Sequence, residues 1–443
     1  MKKLYSCISS FFCLAAALLT SNCTADSNND AWQQTDNTAI QLGATVKGTR
    51  AGAEGSIDYS TLARTDYGFG VYAYGPTASD YSTTLSPNLF ANTKVSYTGN
   101  ESTPVDNPTD LFAYPENWTY EAARQYWPKS TEAAQKISFF AYAPYVAAGS
   151  GPTGITAVSS NTAGDPTVTY TIATTPDAGV DLLWGINGDT GLPWTNATLK
   201  QTGGPILFTF RHALAAIGFH VQAIIDQDNN TADLTDESEV ANLLGASGHY
   251  KITVKNLTIS GSFPKTATLN LNNDTENIPN WGTATDTEST LTVGNSLINA
   301  AFRHPNESTT TDATTAQSII TGSLTGITQS AQQLLIADNA TTGKEQCFFV
   351  IPNAEQNYIV TLNWCISGQA ADGTYVAEDR TSTINVSELA LQAGFKYYLN
   401  FVVGLRTLRL DVTATDWTNT PVPANVTIEH GTSANSSLAK QRP

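Results

Sequence analysis

From Ile40 onward the chain is written in period two. Ile40, Leu42, Ala44 and Val46 alternate with Gln41, Gly43 and Thr45, and a repeat of two is the repeat of one face of a β-strand. Short apolar or alternating runs return at Phe69–Tyr74, Lys136–Tyr142, Thr167–Ile172, Val180–Trp184, Ile206–Leu214, Ile217–Val221, Tyr250–Ser260 and Ala267–Leu271. Others follow at 346–352, 358–366, 396–403 and 406–415. Turn residues separate them. Many short strands at about 8–12-residue spacing are the pattern of β-sandwich domains. Helical expectations are few: one turn within 118–128, and a short helix over 235–245 with Thr235 as its N-cap. The expected class is all-β with minor short helices. The Gly203-Gly204-Pro205 joint, with a long apolar strand just after it, marks a boundary between two domains, 51–203 and 204–443.

Strands of this kind need a polar outer face, and here Thr, Ser and Asn supply it. Charged residues are 14% of the chain and the net charge is −17. That balance excludes a nucleic-acid partner, which needs a basic stripe to neutralise phosphates. It equally disfavours docking on anionic lipid through charge.

The N-terminus has a different purpose. Lys2 and Lys3 precede a short apolar run, Phe11–Leu19, too short to span a bilayer as a helix. Leu19-Thr20-Ser21-Asn22-Cys23 then reads as a bacterial lipoprotein signal over residues 1–23, with Cys23 as the lipidated first residue of the exported chain. Thr20 and Asn22 depart from the aliphatic and small residues usual at those positions. A lipid on Cys23 implies attachment to the outer membrane. Residues 24–37 have little to bury and read as a tether. The strand Ile40–Val46 follows, and Lys47–Gly55 links it to the body, so residues 24–50 form a propeptide-like unit.

Residues that carry chemistry elsewhere are sparse here. Past Cys23 the chain has Cys347 and Cys365. A hairpin centred near Gln356 would set them face to face for a disulfide, which an exported chain can keep. Otherwise they are two small buried residues on one sheet face. No CxxC or HxxxH spacing offers a metal site. Asp226, Asp228, Asn230 and Glu237 copy part of a calcium loop, but Thr231 stands where the sharp turn needs Gly, so a solvated loop is expected. Asp236, Glu237 and Glu239 fit the acidic first turn of a helix better than a glycosidase pair. Arg211 and His212 have no nucleophile signature beside them and are expected to satisfy backbone groups at a strand end. Trp118, Trp127, Trp184, Trp194 and Trp281 are expected in cores or between domains, with stacking on glycans as the alternative. No cofactor is implied and no enzyme is expected.

A series of segments in fixed order gives the chain a likeness. They are Thr49-Arg50-Ala51 ahead of Phe69–Ala73, then Trp118 and Tyr126-Trp127-Pro128 ahead of Ile137–Pro144. Next come Phe208–Leu214, Ile259–Phe263, Phe349–Pro352 and Leu391–Leu399, with a last strand ending at Trp417. In this order, behind a lipoprotein-like signal, they resemble the fimbrillin family of Bacteroidota, the type V pilins and their Mfa-like lipoprotein relatives. The resemblance implies two tandem transthyretin-like, immunoglobulin-like β-sandwich domains. It implies a stalk, tip or anchor subunit of a surface fimbria, joined to neighbouring pilin subunits by exchange of strands. It makes the Arg50–Ala51 bond the expected cut for an arginine-specific protease, with Arg64 as the competing site. The expected exchanged strand is Ile40–Val46, and the expected donor is Leu408–Val412 or Asn425–Ile428. A host or bacterial surface receptor or glycan is the expected outer contact. A surface lipoprotein that binds glycans without polymerising is the alternative.

Overall fold

The computed structural model describes residues 38–47, 56–64, 67–98, 117–147, 154–223, 249–293, 317–323, 333–336, 347–369, 375–403, 408–416, 421–422 and 427–429. Nearly all the regular secondary structure among the described residues is strand. In order these are β1 (Leu42–Val46), β2 (Phe69–Thr77), β3 (Phe90–Tyr97), β4 (Trp118–Tyr120), β5 (Lys136–Ala143), β6 (Ile155–Val158), β7 (Thr167–Thr171) and β8 (Leu183–Asn187). Then come β9 (Trp194–Ala197), β10 (Ile206–His212), β11 (Ala215–Ala223), β12 (His249–Asn270), β13 (Asn280–Trp281), β14 (Asp286–Val293), β15 (Gln317–Ser323) and β16 (Gln333–Ile336). The last are β17 (Phe348–Val350), β18 (Asn353–Gln369), β19 (Tyr375–Leu391), β20 (Phe395–Val403), β21 (Leu408–Asp416), β22 (Pro421–Val422) and β23 (Thr427–Glu429). The described α-helices are one turn each, α1 (Tyr59–Leu62) and α2 (Leu199–Thr202).

Among the described residues these strands form three sheets. The first runs β1-β10-β8-β5-β2-β3-β4, with β9 on β5. The second runs β16-β11-β20-β21-β22, with β17 on β11. The third runs β23-β19-β18-β12-β7-β6, with β13, β14 and β15 also on β12. Period-two alternation divides the first sheet between two cores. Phe69, Val71 and Ala73 of β2, Phe139 and Ala141 of β5, and Phe208 and Phe210 of β10 enter one core. Tyr72, Tyr74, Phe140, Tyr142 and Trp184 enter the other, which the second and third sheets share. The first sheet also curls until its ends meet. Ile40 N–H bonds Gln125 O at 2.9 Å and Trp127 N–H bonds Thr38 O at 2.9 Å, just past β4.

This topology corrects the boundary at Gly203–Pro205. The strand after it, β10, lies inside the first sheet between β1 and β8. Strand β7, from before it, pairs with β12 from Thr167↔Asn270 to Thr171↔Thr266. Paired hydroxyls, Thr169 with Thr268 at 3.1 Å and Thr171 with Thr266 at 3.0 Å, line that seam. The glycines serve a local need. Gly203 N–H closes α2 on Leu199 O at 3.0 Å, and Gly203 and Gly204 have φ of 65° and 145°, a backbone that favours glycine. The chain leaves the first sheet later, between His212 and Ala215.

Local expectations need three further corrections. Within 118–128 there is a strand, β4, where a helical turn was expected, and Ala39 bridges Tyr126. The runs 250–260 and 267–271 are one strand, β12, carried through Pro264 by register shifts against β14. The hairpin near Gln356 does not form. β17 pairs with β11 in the second sheet, while Cys365 on β18 pairs with Thr253 and Asp379 in the third. Cys347 is buried ahead of β17, so the cross-strand placement that a Cys347–Cys365 disulfide rested on is absent. The helix over 235–245 lies outside the described residues.

Candidate functional site

β1 is short and lies at the end of its sheet, yet all five of its residues are buried. It runs parallel to β10 in the register Leu42↔Ile206 to Val46↔Phe210. The ladder extends past both ends. Ile206 N–H bonds Gln41 O at 2.9 Å and Lys47 N–H bonds Phe210 O at 2.7 Å. Ile40, Leu42, Ala44 and Val46 enter the first core at 0–2% exposure. They join Phe69, whose ring lies 5.8 Å from Phe208 and 5.3 Å from Phe210. Burying an Ile, Leu or Val side chain is worth about 1.5–3 kcal/mol. Losing β1 would therefore uncover a groove along β10 and an unpaired strand edge.

Two short ends bracket the link. Exposed Lys47 precedes it, and Ser56 and Ile57, both buried, follow it. Ile57 N–H donates to Asp181 Oδ2 at 3.2 Å, and the same oxygen lies 2.6 Å from His212 Nδ1. Asp58 then caps α1, accepting from Thr61 N–H at 2.7 Å. His212 thus bonds a carboxylate 31 residues away. An Asp–His pair beside Ser56 invites comparison with a hydrolase. The Ser56 hydroxyl, however, is buried without a hydrogen bond to the imidazole or to anything else described, so no activated nucleophile is assembled.

Arg64 is exposed, in the turn after α1. Its N–H bonds Thr61 O and its C=O accepts from Tyr67 N–H, each at 3.1 Å, with the guanidinium 5.4 Å from the Tyr67 ring centroid. Of the two expected donor segments, Leu408–Val412 belongs to β21. That strand pairs with β20 along its whole length and buries Leu410 and Val412. The other segment overlaps β23, which holds the edge of β19 through three residue pairs, Asn385↔Glu429 to Ser387↔Thr427.

Trp118, Trp127 and Trp184 are buried in the cores. Trp194 and Trp281 are half-buried and donate from Nε1 to Leu207 O at 2.9 Å and Ala213 O at 3.0 Å. Packing thus occupies Trp118, Trp127 and Trp184, and backbone carbonyls hold the indole N–H of Trp194 and Trp281. Among the described residues no His, Cys, Asp and Glu group is placed to hold a metal, and no helix is long and apolar enough to cross a membrane. Cys23, Arg50, Ala51, the Asp226–Glu237 loop, Asp236 and Glu239 lie outside the described residues. Sequence reasoning missed Asp181. It sits inside an apolar run, Val180–Trp184, and only its 0% exposure marks it out.

A fimbrial protein from Bacteroides vulgatus has a similar structure, with a TM-score of 0.58 at 20% identity over 86% of this chain and 100% of that one. The tip fimbrial protein Mfa3 from Porphyromonas gingivalis matches 86% of this chain and 100% of its own with a TM-score of 0.31 at 6% identity. No curated protein sequence matches. Residues 49–311 match the sequence profile described as fimbrillin-like. That stretch is more than half of the chain, and its strand order and paired cores are those set out above: the chain belongs to the fimbrillin-like family.

Proposed function

We propose that the protein is a structural and adhesive subunit of a cell-surface fimbria. It is exported as a precursor lipidated on Cys23 and held at the outer membrane. An arginine-specific protease cuts after Arg50, β1 leaves with the lipid, and a strand from a neighbouring subunit takes its place along β10. The observation that carries this reading is β1 itself, a fully buried strand at a sheet end, covalently continuous with the body through the link after Lys47. Strand addition suits such a groove because the ladder supplies hydrogen bonds and alternate side chains fill the pockets. One-way donation is a head-to-tail contact, which builds a filament.

Arg50 is the better of the two cut sites. Arg64 has both backbone groups tied into a turn. A cut there would also release Ile57 and Leu62, both at 0% exposure, and the bond to Asp181. Of the two donors, the β23 segment is favoured, since β21 is committed along its length to its own sheet. Replacing Arg50 with Ala tests the mechanism. The variant should stay lipid-bound and monomeric, and deletion after Trp417 should also block filaments. Wild-type filaments from both Arg50→Ala and Arg64→Ala would overturn it.

A further inference from the structure

β10 carries a guanidinium whose Nε finds no partner among the described residues. Arg211 is half-buried, and its Nε is buried without a hydrogen-bond partner. No ion pair to it is found among the described residues, and burial alone lowers its pKa. Its cross-strand neighbour Trp184 likewise has a buried Nε1 with no acceptor. A half-buried cation with no counter-charge is costly. The residue that β1 sets beside it makes matters worse. Val46 pairs with Phe210, and Lys47 N–H continues the ladder onto Phe210 O. One step further in register puts Lys47 beside Arg211 on the same face of the sheet. Like charges at neighbouring strand positions repel. The end of β1 nearest the cleavable link is thus its electrostatically weak end.

The C-terminal segment carries the opposite charge at that point. Leu42-Gly43-Ala44-Thr45-Val46-Lys47 aligns without gaps on Ala424-Asn425-Val426-Thr427-Ile428-Glu429. Apolar residues fall at the same alternate positions, with the same total of side-chain carbons, and threonine coincides with threonine. The acid replaces the base. A register two residues earlier would put Pro423 at the position of Gly43. In a parallel ladder the bonds recur every second residue. Those from Gln41 O and Lys47 N–H to β10 therefore place the Gly43 N–H in the same series. Proline has no N–H to give there, so the register with Asn425 at that position is preferred.

Resting on the strand-exchange reading above, we infer that Arg211 selects and registers the incoming strand. Residues 424–429 of a second copy of this chain take the places of Leu42–Lys47 along β10, and the Glu429 carboxylate pairs with the Arg211 guanidinium where Lys47 had stood. Cleavage then exchanges a repulsion for a charge-assisted contact, which gives the exchange a direction. Before that, the segment is parked at the edge of β19 by three residue pairs.

The test uses full-chain protein cut after Arg50 and a synthetic peptide of residues 421–431. The wild-type peptide should bind and displace the β1 fragment. The Glu429→Lys peptide should bind roughly five- to tenfold more weakly at low salt. Arg211→Glu protein should reverse that preference, and Arg211→Gln should abolish it, which covers the case of a poorly folding Arg211→Glu. Filaments from chains carrying Arg211→Glu together with Glu429→Lys should form better than from either single variant. Equal binding of both peptides to wild-type protein would overturn the role of Arg211 and leave strand exchange standing. If cut wild-type protein binds neither peptide and forms no filaments, strand exchange itself falls.

Discussion

His212 and Asp181 meet where the link enters the body, and the pair explains why that entry stays in place. The carboxylate is fully buried, and one of its oxygens serves both the imidazole and the Ile57 N–H. Its other oxygen, Oδ1, is buried without a partner. Removing the imidazole leaves a buried carboxyl oxygen without that hydrogen bond, which costs about 1–3 kcal/mol. His212→Ala should lower the stability of the precursor by that order in denaturant unfolding and should speed hydrogen exchange at the Ile57 amide. Wild-type exchange at Ile57 in that variant would show that the pair does not hold the link. Little of this was legible in the sequence. Phe208–Leu214 reveals a strand, but the partner of its histidine arrives from another loop, and no periodicity specifies that.

At the scale of elements, the β6–β7 segment ties the third sheet to the first. Tyr72 and Tyr74 from the back of the first sheet, Tyr81 beyond β2 and Tyr170 of β7 itself hold it. Tyr72 OH donates to Ser159 O and Tyr74 OH to Gly164 O, each at 2.9 Å. Tyr81 OH donates to Asp165 Oδ1 at 2.9 Å, and Tyr170 OH reaches Val180 O at 2.5 Å. Burial raises the Tyr72 pKa from 10.0 to about 12 and pushes Tyr74, Tyr81, Tyr142 and Tyr170 higher still. In the unfolded chain these phenols ionise near 10, so the folded state holds more protons above that pH. Their contribution to stability is complete below about pH 10 and falls as pH rises toward the folded values. Phenolate absorbance at 295 nm should therefore rise together with loss of β-sheet circular dichroism for this group. A full phenolate signal from a chain that is still folded would refute it. Element by element, β2, β5, β7, β10 and β20 were plain from alternation. β19 was not, because its alternating apolar residues begin only at Ile384 and its first half is held by pairing with β18.

At the scale of the molecule, the two halves share a sheet and exchange strands across the apparent joint. Fragments 51–203 and 204–443 would each lose partners, β10 from the first sheet and β7 from the third. Neither fragment should show a cooperative thermal transition alone. Two independent cooperative transitions in the separated fragments would refute this. By itself the sequence determined the all-β class, the buried face of β1 and the order of family segments, because period two states which side of a strand turns inward. Tertiary structure alone decided that β1 lies beside β10, that β7 joins β12, and that Asp181 meets His212. The reason is physical. Every strand offers the same backbone donors and acceptors, so alternation selects a face but not a neighbour. The neighbour is chosen by how the whole set of apolar faces closes its cores.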